Sequence, residues 1–184
     1  TGGHCWMMGS QADGVDGVRQ MVRQLIKEGA DFIKVMSSGG STIGTMPERP
    51  SYSLEELKAI VDEAHKFDRL VGAHSNAIAS IVNCLDAGVD MIIHCTFLKP
   101  DGTIYFDPGV GERLARSGAW VNPTLHVRRC RIETIEEKRQ EVGLTPEEEA
   151  VLGDELKAYE DRLELTRHMY EAGVNVIGGS DCGW

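Results

Sequence analysis

Five short apolar runs, each with a polar residue at or near its end and each followed by helix-like sequence or a loop, set the main constraint on how this chain can fold. The runs are Asp31–Met36, Leu70–His74, Met91–Cys95, Ala119–Leu125 and Asn175–Gly178. Between and before them lie segments of helical period. Val15, Val18, Val22, Leu25 and Ile26 recur on one face from about Asp13 to Glu28, with Gly29 as the stop. Ser53-Leu54-Glu55-Glu56 is a capping box ahead of Leu57, Ile60, Val61 and Ala64. Helices over Ala77–Ala87 and Pro108–Ser117 are closed by Gly88 and Gly118.

Strands alternating with helices at this spacing give successive right-handed βαβ units, hence a parallel sheet with helices outside. An open doubly wound sheet and a (β/α)₈ barrel both satisfy that pattern. A dinucleotide-binding sheet needs Gly-x-Gly-x-x-Gly after a strand, and neither Gly39-Gly40 nor Gly178-Gly179 completes it. The barrel is therefore favoured. A whole barrel takes about 250 residues, and 184 residues with five strands predict a partial one. A start at Thr1 without Met and an end at Trp184 lead to the same expectation, an excerpt from a longer protein.

The formal charge of −10 repels a phosphate backbone and argues against a nucleic-acid partner. Most of it sits in one place, since Glu133 to Glu164 holds 12 acidic and 4 basic residues. That segment lies within Val127–Gly143 and Pro146–Ala172, read as two helices of an acidic arm, residues 127–172, inserted after the penultimate strand. Thr145-Pro146-Glu147-Glu148 marks the second helix start. No apolar run approaches the ~18 residues of a membrane span. Five scattered cysteines without a Cys-x-x-Cys pair fit neither a disulfide framework nor a thiolate zinc site, so a reducing, cytoplasmic location is expected. Asn122-Pro123-Thr124 is no glycosylation acceptor, because its middle residue is proline.

In parallel α/β folds the carboxyl ends of the strands carry the active site. Here those ends hold Lys34, His74, His94 and Asp181 on four strands, with Asn122 and Thr124 on the other. Singly, each has a structural reading: Lys34 as an ion-paired edge residue, the histidines as satisfied core groups, Asp181 as a helix cap. Together at one end of one sheet they point to a divalent metal site. Neutral imidazoles and carboxylates suit Zn²⁺, Mn²⁺ or Co²⁺, and such a metal acidifies a bound water while a nearby Asp takes its proton. An ammonium cannot be a ligand, so Lys34 must be carbamylated, neutral, or placed elsewhere.

The run Gly29-Ala30-Asp31-Phe32-Ile33-Lys34-Val35, then Ala73-His74, Ile93-His94-Cys95-Thr96-Phe97, Asn122-Pro123-Thr124-Leu125 and Gly179-Ser180-Asp181, resembles the amidohydrolase superfamily. Within it the chain is most similar to the imidazolonepropionase-related branch that includes Xaa-Pro dipeptidases and arginine carboxypeptidases of prolidase type. The resemblance implies a (β/α)₈ barrel of which these are strands four to eight. It implies two metal ions, probed first as zinc, bridged by a carbon dioxide-derived carbamate on Lys34. His74 and His94 would bind the more exposed metal, while Asp181 would bind the buried one and shuttle the proton. The implied reaction is hydrolysis of an amide or other carbon–nitrogen bond by metal-activated hydroxide, on a small molecule such as a dipeptide or N-acyl amino acid. The whole protein is expected to form a homo-oligomer.

One departure is plain: family members carry His-x-His on the first strand, and the histidines at 4, 65, 74, 94, 126 and 168 contain no such pair. His4 and His126 are further candidates for substrate contact, while His65 and His168 are expected to face solvent. Cys95 and Cys182 flank ligand positions and read as packing rather than nucleophiles. The Gly-rich stretch 37–44 lacks a Gly-Lys-Ser/Thr ending and reads as a flexible loop at the site rim. Two rival readings remain at this point: a lyase with Lys34 as Schiff-base nucleophile, and a catalytically incomplete scaffold fragment.

Overall fold

A computed structural model describes residues 3–181. Five parallel strands, β1 (Ile33–Met36), β2 (Val71–Ala77), β3 (Met91–Leu98), β4 (Trp120–Asn122) and β5 (Asn175–Val176), pair in the order in which they occur along the chain. A doubly wound sheet reverses its strand order at a switch point; this one never does. It winds in one direction, as a sector of barrel wall does.

Helices α1 (Gly14–Lys27), α2 (Leu54–His65), α3 (Ile78–Ala87) and α4 (Pro108–Ser117) cover one side. The pleat sends Ile33, Val35, Val71, Ala73, Ile92 and Val121 toward them, where they join Val18, Val22, Leu57, Ile60, Ala64, Ile81, Cys84 and Leu114 in one core. Leu57, Ile81 and Ile92 are wholly buried, each worth roughly 1.5–3 kcal/mol of burial. The expected caps form. Ser53 Oγ accepts from the Glu56 backbone N–H at 3.2 Å while Glu56 Oε2 accepts from the Ser53 N–H at 2.8 Å. Gly88 and Gly118 close α3 and α4 with φ of 78° and 74°, a conformation glycine adopts without Cβ strain.

The segment after β4 departs from the sequence expectation. Pro123 has no N–H to continue the ladder, so β4 ends at Asn122 rather than at Leu125. Thr124 turns left-handed (φ 50°) and α5 (Leu125–Glu141) starts at once. With α6 (Pro146–Glu171) it forms a hairpin, capped at Thr145 by a second capping box. Arg128 and Arg131 both pair with Glu155, Arg139 pairs with Glu149, and Lys138 with Glu148, knitting the two helices together. The arm is shorter than residues 127–172. From Arg162 onward α6 lies against the barrel, with Leu165 and Met169 in the main core. Among the described residues, no helix is long and apolar enough to cross a membrane.

Candidate active site

All four strand-end candidates of the metal site line one cavity of about 390 Å³, with His4 beside them. Lys34, His74, His94 and Asp181 all reach it, as do Asn76 and Thr124. The His4 and His74 rings are 4.4 Å apart between centroids, and His74 and His94 are 4.5 Å apart. His126 is not among the lining groups. Because α5 begins at Leu125, the helix turns His126 outward, where its ring contacts Cys130 Sγ on the next turn. The structure thus keeps His126 outside the lining of this cavity.

Pleat and register explain how the groups converge. Met36 is level with His74, and His74 with Ile93, so these side chains share the face that also bears Lys34. His94 pairs with Ser75, and strict alternation would send it to the helix layer with Ile92. It does not go there, because β3 carries a bulge: the register shifts between Ser75 and Ala77, and His94, Cys95 and Phe97 have φ of 69°, 50° and 52°. Left-handed backbone at three residues in four is costly for non-glycine positions. It re-aims His94 into the cavity, a recurrent use of bulges beside active sites.

The first part of the Gly-rich loop, Ser37 to Gly40, is built into the site floor, while Ser41, Ile43 and Gly44 are exposed at its rim. Ser37 and Ser38 are fully buried. Ser38 Oγ accepts from the Asn76 N–H at 2.9 Å, and the Gly39 carbonyl lies 3.0 Å from His74 Nε2. A Cβ on Gly39 would stand 2.3 to 2.5 Å from the Met46 backbone, and one on Gly40 under 3 Å from the His4 ring. Glycine is needed because backbone and imidazole pass that close.

Burial first, then the neighbouring His94, holds the His74 imidazole near pKa 3. Burial and then Lys34 and Arg162 hold His94 at about 3 as well. His4 is lowered by burial and Lys34, with Asp181 opposing. All three rings are thereby kept neutral, the form in which a nitrogen lone pair is available. Lys34 is exposed on the open side of the sheet, yet its stem lies among enough protein atoms that desolvation pulls its ammonium below the ordinary value, against the pull of Asp181. Cys95 is fully buried and its thiol is pushed up to about 12, which suits packing and not nucleophilic attack. Cys182 lies outside the described residues. Of the other histidines, His65 is exposed and paired with Asp90 at 2.9 Å, while His168 is half-buried against Phe106 rather than open to solvent.

One contributor, Arg162, escaped the sequence reading, and the role of Thr124, named there only as a strand-end polar residue, became visible with the fold. Thr124 Oγ1 lies 2.7 Å from His94 Nδ1, and Arg162 of α6 reaches the cavity wall from the outer layer. A signal for Arg162 existed: it occupies the same helical stripe as Glu155, Leu165 and Met169, all buried, so a charged residue stands where the 3.6 period calls for an inward one.

The chain matches the amidohydrolase family over residues 2–183. It is 34% identical over 175 residues to an ochratoxinase of Aspergillus niger, covering 92% of this chain and 32% of that protein. The solved structure of a Xaa-Pro dipeptidase with methionine bound in its active site superposes with a TM-score of 0.72 at 26% identity, over 98% of this chain and 45% of that one. A prolidase complexed with N-methylphosphonate-L-proline superposes with a TM-score of 0.69 at 32% identity, over 92% and 38%. The chain thus spans about a third of the length of the curated relatives it matches.

Proposed function

Because this chain belongs to the amidohydrolase family, we propose that the whole protein hydrolyses an amide or other carbon–nitrogen bond in a small molecule, with a dipeptide or an N-acyl amino acid as the substrate class. The observation that carries this reading is the convergence of Lys34, His74, His94 and Asp181 on one cavity. The prolidase and the Xaa-Pro dipeptidase among its relatives support a peptide bond as the target.

A pair of divalent metal ions, zinc first and manganese or cobalt as substitutes, fits the donor chemistry. His74 and His94 stand 4.5 Å apart and are held neutral, which suits imidazole ligands. Among the described residues no three His, Cys, Asp or Glu side chains gather into a shell by themselves. The family resemblance implies, besides these, a lysine-derived ligand and a His-x-His pair that this sequence does not contain. Lys34 supplies the first: its neutral amine attacks carbon dioxide, the N–C bond forms, a proton leaves to solvent, and a carbamate with two ligand oxygens results. Asp181 completes the contribution of this chain to that shell. When bound, the metal pair supplies a water acidic enough to attack a carbonyl at neutral pH. Asp181 takes the proton released in the attack and returns it to the leaving amine nitrogen. His4, packed on His74, and the buried Thr124 in the cavity wall would orient the substrate.

The test is metal analysis of the whole enzyme together with a panel of Xaa-Pro dipeptides and N-acyl amino acids. About two zinc ions per chain and reactivation of stripped enzyme by zinc plus bicarbonate are expected. A metal-free enzyme that borohydride inactivates at Lys34 in the presence of a carbonyl substrate would establish the lyase instead.

A further inference from the structure

Arg162 is 6% exposed and sits on α6, at the root of the arm. Its Nη2 donates to the His94 carbonyl at 2.6 Å and to the Pro123 carbonyl at 2.7 Å. One guanidinium nitrogen thus ties the bulged end of β3 to the end of β4. These two carbonyls are where regular pairing fails, since the β3–β4 ladder stops at Ile93 and Asn122. Nη1 is buried with no hydrogen-bond partner among the described residues. Among the described residues no carboxylate is paired with Arg162 either, while the neighbouring Arg128 and Arg131 share Glu155. A buried cation with an unmet donor is costly to keep, so the two carbonyl bonds it makes must matter where they are.

We propose that Arg162 is a positioning residue for His94. By gripping the carbonyl of the left-handed His94 it holds the bulge that turns this imidazole out of the helix layer and into the cavity. Thr124 then fixes the ring through Nδ1, and Pro123, gripped by the same Nη2, precedes Thr124 directly. The arm becomes part of the site by this route, because its second helix carries the residue that aims a strand-end ligand. The inference rests on the reading of His94 as a site residue, and its test is separable from that of the reaction.

In the whole enzyme, Arg162→Met keeps the length and apolar stem while removing the buried charge, a replacement that other proteins tolerate without loss of stability. The expected result is a folded variant whose zinc affinity falls about 10- to 100-fold, as for loss of an outer partner of a metal ligand. Its kcat should fall by a similar factor with KM within about threefold. In the metal-free variant the imidazole ¹⁵N shifts of His94 should show loss of the Nδ1 hydrogen bond to Thr124. Arg162→Ala with added guanidinium should regain at least about tenfold in zinc affinity, since the ion can refill the clamp. Zinc affinity and His94 shifts unchanged in Arg162→Met would overturn the proposal, as would an Arg162→Ala enzyme that remains folded and is indifferent to guanidinium. Zinc affinity and ¹⁵N shifts read the clamp even if no amide is ever hydrolysed.

Discussion

Two charged clusters sit on opposite sides of the same sheet, and they are built on contrary principles. On the helical side, Glu63 of α2 is 1% exposed and receives Arg23 at 2.6 Å, Arg19 at 3.0 Å and Lys66 at 3.1 Å. Every oxygen is met, and Arg23 above all holds its carboxyl down to about 2. The cations themselves reach solvent, so their desolvation is small. On the strand-end side, His74 and His94 are forced neutral, Lys34 has no carboxylate in salt-bridge contact among the described residues, and Arg162 keeps an unmet donor. The satisfied cluster joins α1 to α2. The unsatisfied one borders a cavity, which is where proteins leave polar groups in want of partners when a ligand is to supply them.

The contrast breaks or holds on variants taken from both sides. The largest effect is expected at Lys34→Ala in the whole enzyme, where kcat/KM should fall about a thousandfold. Formate or acetate should restore part of it by standing in for the carbamate oxygens; an inactive variant whose Tm has also collapsed would mean that Lys34 is structural. Next comes Gly39→Ala, which drives a Cβ into the Met46 backbone. About 2–3 kcal/mol of stability should go, read by denaturant unfolding. Activity should drop as well, because the Gly39 carbonyl contacts His74.

Glu63→Gln should cost about 2 kcal/mol of stability and leave kcat/KM within about threefold. Its pH signature is distinct. The folded value is about 2 against an ordinary 4.5, so the carboxylate adds stability that is complete above pH 4.5 and lost as pH falls from there toward 2. Unfolding curves of wild type and Glu63→Gln should therefore converge as pH falls through that window. The smallest effect belongs to Glu112→Gln, whose exposed pair with Arg116 should change stability by less than about 0.5 kcal/mol.

Much of this was legible in the sequence because it depends on local rules. Ser53 and Glu56, Thr145 and Glu148, Gly88 and Gly118 announce their helix ends through backbone needs that side chains meet within a few residues. The rule that strand carboxyl ends carry the site singled out Lys34 and His74. The rest depends on contacts distant in sequence. Nothing in Ile93-His94-Cys95-Thr96-Phe97 lacks a Cβ or an N–H, so no glycine or proline marks the bulge; it is held by Arg162, 68 positions away. His126 lies outside the cavity lining because a left-handed Thr124 lets α5 begin two residues sooner than its charge pattern suggested. Glu63 and Arg162 share a lesson: a charge on the buried stripe of a helix has a partner across the fold, and the sequence marks the position without naming the partner.

The most direct measurement sets His94→Ala beside Glu63→Gln in the whole enzyme, with kcat/KM and Tm read on the same preparations. His94→Ala should lose about a thousandfold in kcat/KM at a nearly unchanged Tm of the metal-free enzyme, since the ring's side-chain hydrogen bond among the described residues is the one from Nδ1 to Thr124. Glu63→Gln should lose several degrees of Tm and almost no activity. Equal losses of activity in the two variants, or a Tm collapse in His94→Ala, would contradict the division of this molecule into a satisfied structural cluster and an unsatisfied functional one.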